Sequence, residues 1–238
     1  MTRFFSLLVL LPLFLAATAS AESGKAELPK VLCVVDSFQR GQIVLPATKE
    51  LKEKAELVFP KVEAYDTGSA LERIDEILGE GDWDVIYFSF GLGDLFYKDP
   101  ATREIRAMSK FAGGVRVSSP EEYEDQLVQL TEKLKASGAK LIWGHTVPLI
   151  HGKTSKGEYR TFQENLFDAD SPAEYNGIAS RVMKRHSVSV VDFHQYVMDQ
   201  FTEEERLPSF NQYAKVLTGK KAPLHAPFVE TVLATIKR

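Results

Sequence analysis

Several short stretches of this 238-residue chain carry groups suited to acyl chemistry. Asp36-Ser37, followed by Phe38 and Gly41, closes an apolar run. A serine at a strand-to-helix turn exposes its hydroxyl and sits near backbone N–H groups that could hold an oxyanion. The same pair also reads as an ordinary turn and helix cap. Asp66-Thr67-Gly68-Ser69 offers the Gly68 N–H to a ligand, or places a loop glycine ahead of a helix. In Gly91-Leu92-Gly93-Asp94, two glycines permit close backbone approach. His225 stands between Pro223 and Pro227 ahead of a final helix. Such a rigid loop suits a general base, and equally a surface imidazole. His145, in Trp143-Gly144-His145-Thr146, could touch a ligand, supply a missing polar group, or cap a carbonyl. His145 and His151 lack the i, i+4 spacing of a helical zinc pair, and no Cys/His cluster completes a site, so neither metal nor cofactor is expected.

The elements that must position these residues alternate between short apolar runs and longer amphipathic segments. Strands are expected at Val31–Val35, more weakly at Val62–Tyr65, then at Asp84–Phe90, Lys140–Trp143 and Val188–Val191. Helices are expected near Pro46–Lys54, Ser69–Leu78, Ala173–Arg185 and Pro227–Lys237. A longer one opens at Pro120 behind the cap Ser119 and runs to Ser137-Gly138. In the last helix Val229, Val232, Leu233 and Ile236 share one face. Asp192 reads as a helix cap, and Leu95–Ser118 as a long, site-flanking connection. Continuously apolar strands separated by helices imply a single doubly wound, three-layer α/β/α domain with a flavodoxin-like parallel sheet of about five strands. Ligands bind such sheets at the carboxyl ends of the strands, so Ser37, Gly68, Gly91, Gly93, His145 and His225 are expected to gather there.

Order and spacing resemble the SGNH (GDSL-like) hydrolase family over nearly the whole chain after its first residues. Val35-Asp36-Ser37 matches the family's Gly-Asp-Ser with the glycine replaced. Gly68 matches the second-block glycine, Gly91-Leu92-Gly93-Asp94 matches Gly-x-Asn-Asp, and Ala222-Pro223-Leu224-His225 matches Asp-x-x-His. Trp83-Asp84-Val85-Ile86, Gly138-Ala139-Lys140-Leu141-Ile142-Trp143 and Tyr175-Asn176 resemble an exported bacterial branch. The resemblance implies Ser37 as nucleophile and His225 as its base, with the Ser37 and Gly68 N–H groups as oxyanion donors. Ala222 stands where the orienting acid belongs and Gly93 where the side-chain donor belongs. On that reading Gly93→Asn should raise turnover. Asp94 and His145 complete the expected substrate-side residues. The expected function is therefore a secreted serine esterase or acyl hydrolase with altered machinery, a carbohydrate deacetylase or a short-chain carboxylesterase; the alternative is a non-catalytic relative that binds a sugar or acyl ligand. A flavodoxin-like cofactor binder fits the strand count but lacks a phosphate-binding loop after the first strand.

Composition narrows the setting. The chain is 44% hydrophobic and 26% charged, as soluble globular proteins are. With 29 Lys+Arg against 33 Asp+Glu and no long basic run, nucleic acid is not expected as a partner; a small ester or carbohydrate is. Arg3, the apolar run Phe4–Leu15 and the small residues ending at Ala21 have the pattern of a secretory signal peptide, too short to span a bilayer, which takes roughly 20 residues. A linker (22–29) and one domain (30–238) are expected to follow, exported to the periplasm or beyond, with no membrane span after cleavage. Cys33, the only cysteine, lies inside an apolar run and reads as a buried small hydrophobe. Thr202–Arg206 reads as a solvated face.

Overall fold

The computed structural model describes residues 27–102, 106–149, 151–153, 159–161, 164–168, 170–201 and 215–237. The signal peptide, most of the linker and the Thr202–Arg206 run lie outside the described residues.

β1 (Lys30–Val35) is apolar and buried through its centre. It ends at Asp36, whose carboxylate accepts the Gln39 N–H at 2.8 Å and so starts a helix. That helical run is continuous: α1 (Ser37–Gln39), a π-helical turn (Arg40–Val44) and α2 (Leu45–Leu51). It begins well before the Pro46 start expected from sequence, because Asp36 caps at once. β2 (Glu56–Val58) is a short edge strand beside β1. The expected strand at Val62–Tyr65 is absent; Pro60 ends pairing, and Val62 and Ala64 instead pack against the core as irregular chain. Asp66 and Ser69 form a reciprocal capping box that opens α3 (Thr67–Glu72), and α4 (Ile74–Leu78) follows.

β3 (Val85–Ser89) is buried at every position, as a central strand covered on both faces must be. After it the chain makes an excursion holding the antiparallel pair β4 (Tyr97–Lys98) and β5 (Val115–Arg116). Asp168 pins this excursion, receiving Lys110 Nζ at 2.7 Å and Arg116 at 3.0 Å. Ser119 and Glu122 box the start of α5 (Pro120–Ala136), and β6 (Lys140–Gly144) returns to the sheet. A small hairpin, β7 (His151–Lys153) with β8 (Tyr159–Thr161), precedes α6 (Ser171–His186). β9 (Ser189–Val191), α7 (Phe193–Met198) and α8 (Ala226–Ile236) complete the described chain, with Asp192 capping α7 as expected.

The main sheet has the order β2-β1-β3-β6-β9 and is parallel throughout. Its two faces bury separate cores. Leu32, Ile86, Phe88 and Trp143 meet α5 and α6 on one side; Cys33, Tyr87 and Ile142 meet α2 and α8 on the other, where Phe228 of α8 packs on Tyr87. This is the expected three-layer α/β/α arrangement. Cys33 is fully buried. Among the described residues, no helix is long and apolar enough to cross a membrane.

Candidate functional site

Ser37 opens the helical run at the carboxyl edge of β1, exposed, and its hydroxyl has no hydrogen-bond partner among the described residues. It stands at the wall of a cavity of about 280 Å³. The lining is mostly apolar, from residues such as Val35, Leu45, Phe59 and Val62, joined by Asp36, Arg40, Glu63 and Tyr65. The Arg40 guanidinium lies over the Phe59 ring, 4.3 Å from its centroid. Arg40 follows Ser37 by three residues, so helical spacing alone would have put both on one face; Phe59 carries no such signal.

His225 is elsewhere. It is the residue ahead of α8, and its Nε2 meets Glu50 Oε1 at 2.7 Å. Glu50 lies near the far end of the run that Ser37 begins, more than three turns away, or on the order of 18 Å between Cα atoms. Even with the Glu50 and His225 side chains reaching back, the gap to Ser37 exceeds the about 3 Å, or one bridging water, that proton transfer requires. The expected Ser37–His225 dyad is therefore not assembled. The described turn just ahead of α8 sets His225 beside α2, where Glu50 takes the ring nitrogen.

The second and third expected blocks do come together. Asp94, fully buried, accepts the Thr67 N–H at 3.1 Å, the Thr67 hydroxyl at 2.6 Å and the Ser118 hydroxyl at 2.8 Å. Burial pushes its carboxyl up to about 7, against the pull of those donors. Asp94 thus fixes the turn that carries Gly68 and the start of α5, a tying role with no direct face to the cavity. Gly91 has φ +139°, and a Cβ there would meet the Thr146 hydroxyl at 2.5 Å. Gly93 is tighter still: a Cβ would fall 1.7 Å from the Tyr65 carbonyl oxygen. Gly93 is thus required by backbone packing, and the expectation that asparagine would fit there is corrected. No side chain can enter without displacing the 65–66 backbone.

His145 lies at the carboxyl edge of β6, almost fully buried. Its Nε2 is 3.0 Å from the Ser180 hydroxyl on α6, and its Nδ1 is 3.0 Å from Asp192 Oδ1 after β9. The Nδ1 contact is close but poorly aligned as a hydrogen bond. The nearness of the His145 ring holds the Asp192 carboxyl below its usual range. His194 joins this cluster, and burial lowers its pKa. Ser180 was not foreseen; a serine within a helix carries no distinguishing sequence signal. The Ser180–His145–Asp192 chain has triad-like order, yet Ser180 sits mid-helix, where its own N–H is committed to the helix. Its physical effect is to lock β6, β9 and α6 together. Gln39 strengthens this corner, donating to the His145 carbonyl at 3.2 Å while accepting the Tyr87 hydroxyl.

No protein-family model and no curated protein matches the chain. Solved structures do. A lipase/acylhydrolase from Enterococcus faecalis superposes with a TM-score of 0.57 at 15% identity, covering 87% of this chain and 96% of that one. An acetyl xylan esterase gives 0.53 at 13% identity, covering 87% and 98%. A GDSL-like lipase from Bacteroides thetaiotaomicron gives 0.51 at 13% identity, covering 86% and 89%. The chain shares the fold of these solved structures across most of its length.

Proposed function

We propose that this chain is an exported SGNH-fold protein that binds a small acyl or acylated carbohydrate ligand in the cavity beside Ser37, without turning it over through a Ser37–His225 pair. The observation that carries the reading is the separation of the two residues, with His225 engaged by Glu50 at 2.7 Å while Ser37 stands unpartnered at the cavity wall. Three further features agree. Ala222 supplies no acid to orient a histidine, Gly93 can carry no side-chain oxyanion donor, and a cavity lined by both apolar and polar side chains suits a ligand of mixed character. Export follows from the pattern of the first residues and would be checked by N-terminal sequencing of the mature protein.

A second reading, a working serine esterase, draws on one observation: the Ser37 hydroxyl is exposed at a helix N-terminus, where a nucleophile could be presented. One experiment separates the two. Wild type and Ser37→Ala are compared for hydrolysis of p-nitrophenyl acetate and for saturable binding of short acyl and acetylated xylo-oligosaccharide ligands. Saturable binding with hydrolysis at the solvent rate in both proteins supports the binding function. Hydrolysis abolished by Ser37→Ala overturns it in favour of the esterase.

A further inference from the structure

We infer that the Ser37 cavity selects amphiphilic anions, an acyl chain of medium length ending in a carboxylate, and that Arg40 is the residue that reads the charge. The inference rests on the reading of this cavity as the ligand site and names the chemical class it takes.

Size and lining argue for the acyl part. At about 30 Å³ per water-sized group, 280 Å³ holds about nine heavy atoms, a carboxylate of roughly six or seven carbons, with an eighth carbon reaching the mouth. Val35, Phe59 and Val62 present carbon to it, and Leu45 and Tyr65, at the rim, are 52% and 56% exposed. Large apolar side chains left in water at the mouth of an apolar cavity gain by being covered.

Charge argues for the head group. Arg40 makes no ion pair or side-chain hydrogen bond among the described residues, and the contact recorded for its guanidinium is the face of Phe59. Stacking on the ring orients the planar fork and leaves its in-plane N–H groups free for a two-oxygen acceptor. Neither of the two acids in the lining pairs with Arg40 among the described residues, and each accepts a hydrogen bond from its own stretch of chain. Asp36 accepts the Gln39 N–H at 2.8 Å, and Glu63 accepts the Tyr65 hydroxyl. A carboxylate is the acceptor that matches such a fork.

The test is isothermal titration of the full mature chain with sodium octanoate, with hexanol as an uncharged acyl-chain probe, and with acetylated xylobiose as a neutral sugar ester. Each is run on wild type, Arg40→Gln and Arg40→Lys, with thermal unfolding as the folding control. Expected is saturable octanoate binding that weakens about tenfold or more in Arg40→Gln, is partly kept in Arg40→Lys, and weakens with added salt. Hexanol binding should be weaker in wild type and indifferent to either substitution. Tight binding of acetylated xylobiose, unchanged in Arg40→Gln, with no octanoate binding, overturns the charge selection and leaves the ligand cavity standing. No saturable binding of any probe to folded wild type overturns both.

Discussion

His225 Nε2 and Glu50 Oε1 stand 2.7 Å apart, so the imidazole nearest in sequence order to a catalytic base is spent on a helix carboxylate. Ser37, at the opposite end of the same helical run as Glu50, is left without a base. His225→Ala is therefore expected to leave any residual aryl-ester hydrolysis unchanged. In a working serine–histidine pair, removing the base costs about 10⁶ in kcat. Steady-state rates on purified wild type and variant decide the matter, and a loss of even a hundredfold would show that the pair forms in solution.

Gly93→Asn should destabilise the fold and confer no hydrolysis. With 1.7 Å between the new Cβ and the Tyr65 carbonyl oxygen, the 65–66 backbone has to move. Forced overpacking of this kind costs about 1–3 kcal/mol or more. Thermal unfolding and ester kinetics check it; a variant as stable as wild type would contradict the packing argument.

Asp94 makes stability depend on pH in the less familiar direction. Its carboxyl is pushed up to about 7 in the folded chain, against 3.8 without burial, so the native state holds the proton more tightly than the unfolded state. Its contribution is full below about pH 4 and is lost as pH rises through about 7. Asp94→Asn should flatten that part of the stability profile, since an amide stays neutral at every pH. Urea melts of both proteins from pH 4.5 to 8 measure the slope, and identical slopes would rule out Asp94 as its source.

The His145 corner should behave as a structural lock. His145→Ala removes the partner of the Ser180 hydroxyl and the ring nitrogen beside Asp192, which should cost about 1–3 kcal/mol. Ser180→Ala and Asp192→Asn should each be less costly alone, because Ser180 is partly accessible and Asp192 is half-exposed. A double-mutant cycle between His145 and Asp192 reads their coupling; additive losses would mean the 3.0 Å approach has no energetic consequence.

Asp168 is expected to hold the 95–118 excursion at neutral pH and release it in acid. Burial raises its pKa, but Lys110, Tyr97 and Arg116 outweigh burial and bring it down to about 2. A depressed carboxyl stabilises above its unfolded pKa near 3.8 and loses that contribution as pH falls toward 2. The side chain is one-third exposed, so Asp168→Asn should cost only about 1 kcal/mol at pH 7 after solvent screening. Protease nicking between Leu95 and Ser118 should rise in the variant; unchanged nicking would mean the excursion is held by other contacts.

The amino-acid sequence by itself determined the layer architecture and most of the elements. Val31–Val35, Val85–Ser89 and Leu141–Trp143 are continuously apolar, and such runs are stable only when covered on both faces. Ser119 and Asp192 are local caps, legible because a cap reaches only its own next turn. The weak expectation at Val62–Tyr65 failed for the converse reason: a short edge strand is defined by its neighbour, and Glu56–Val58 met β1 first. Only the tertiary structure decided the site. Whether His225 faces Ser37 or Glu50 depends on the path of the loop before α8 and on the length of the α1–α2 run, neither of which is encoded in local residue pattern. That Gly93 is excluded from bearing a side chain depends on Tyr65, far from it in sequence. The association of Ser180, His145 and Asp192 likewise needs three elements to close on one corner. Periodicity and capping are short-range properties of the chain, whereas chemistry at a sheet edge depends on ångström-scale distances between loops that only the assembled fold sets.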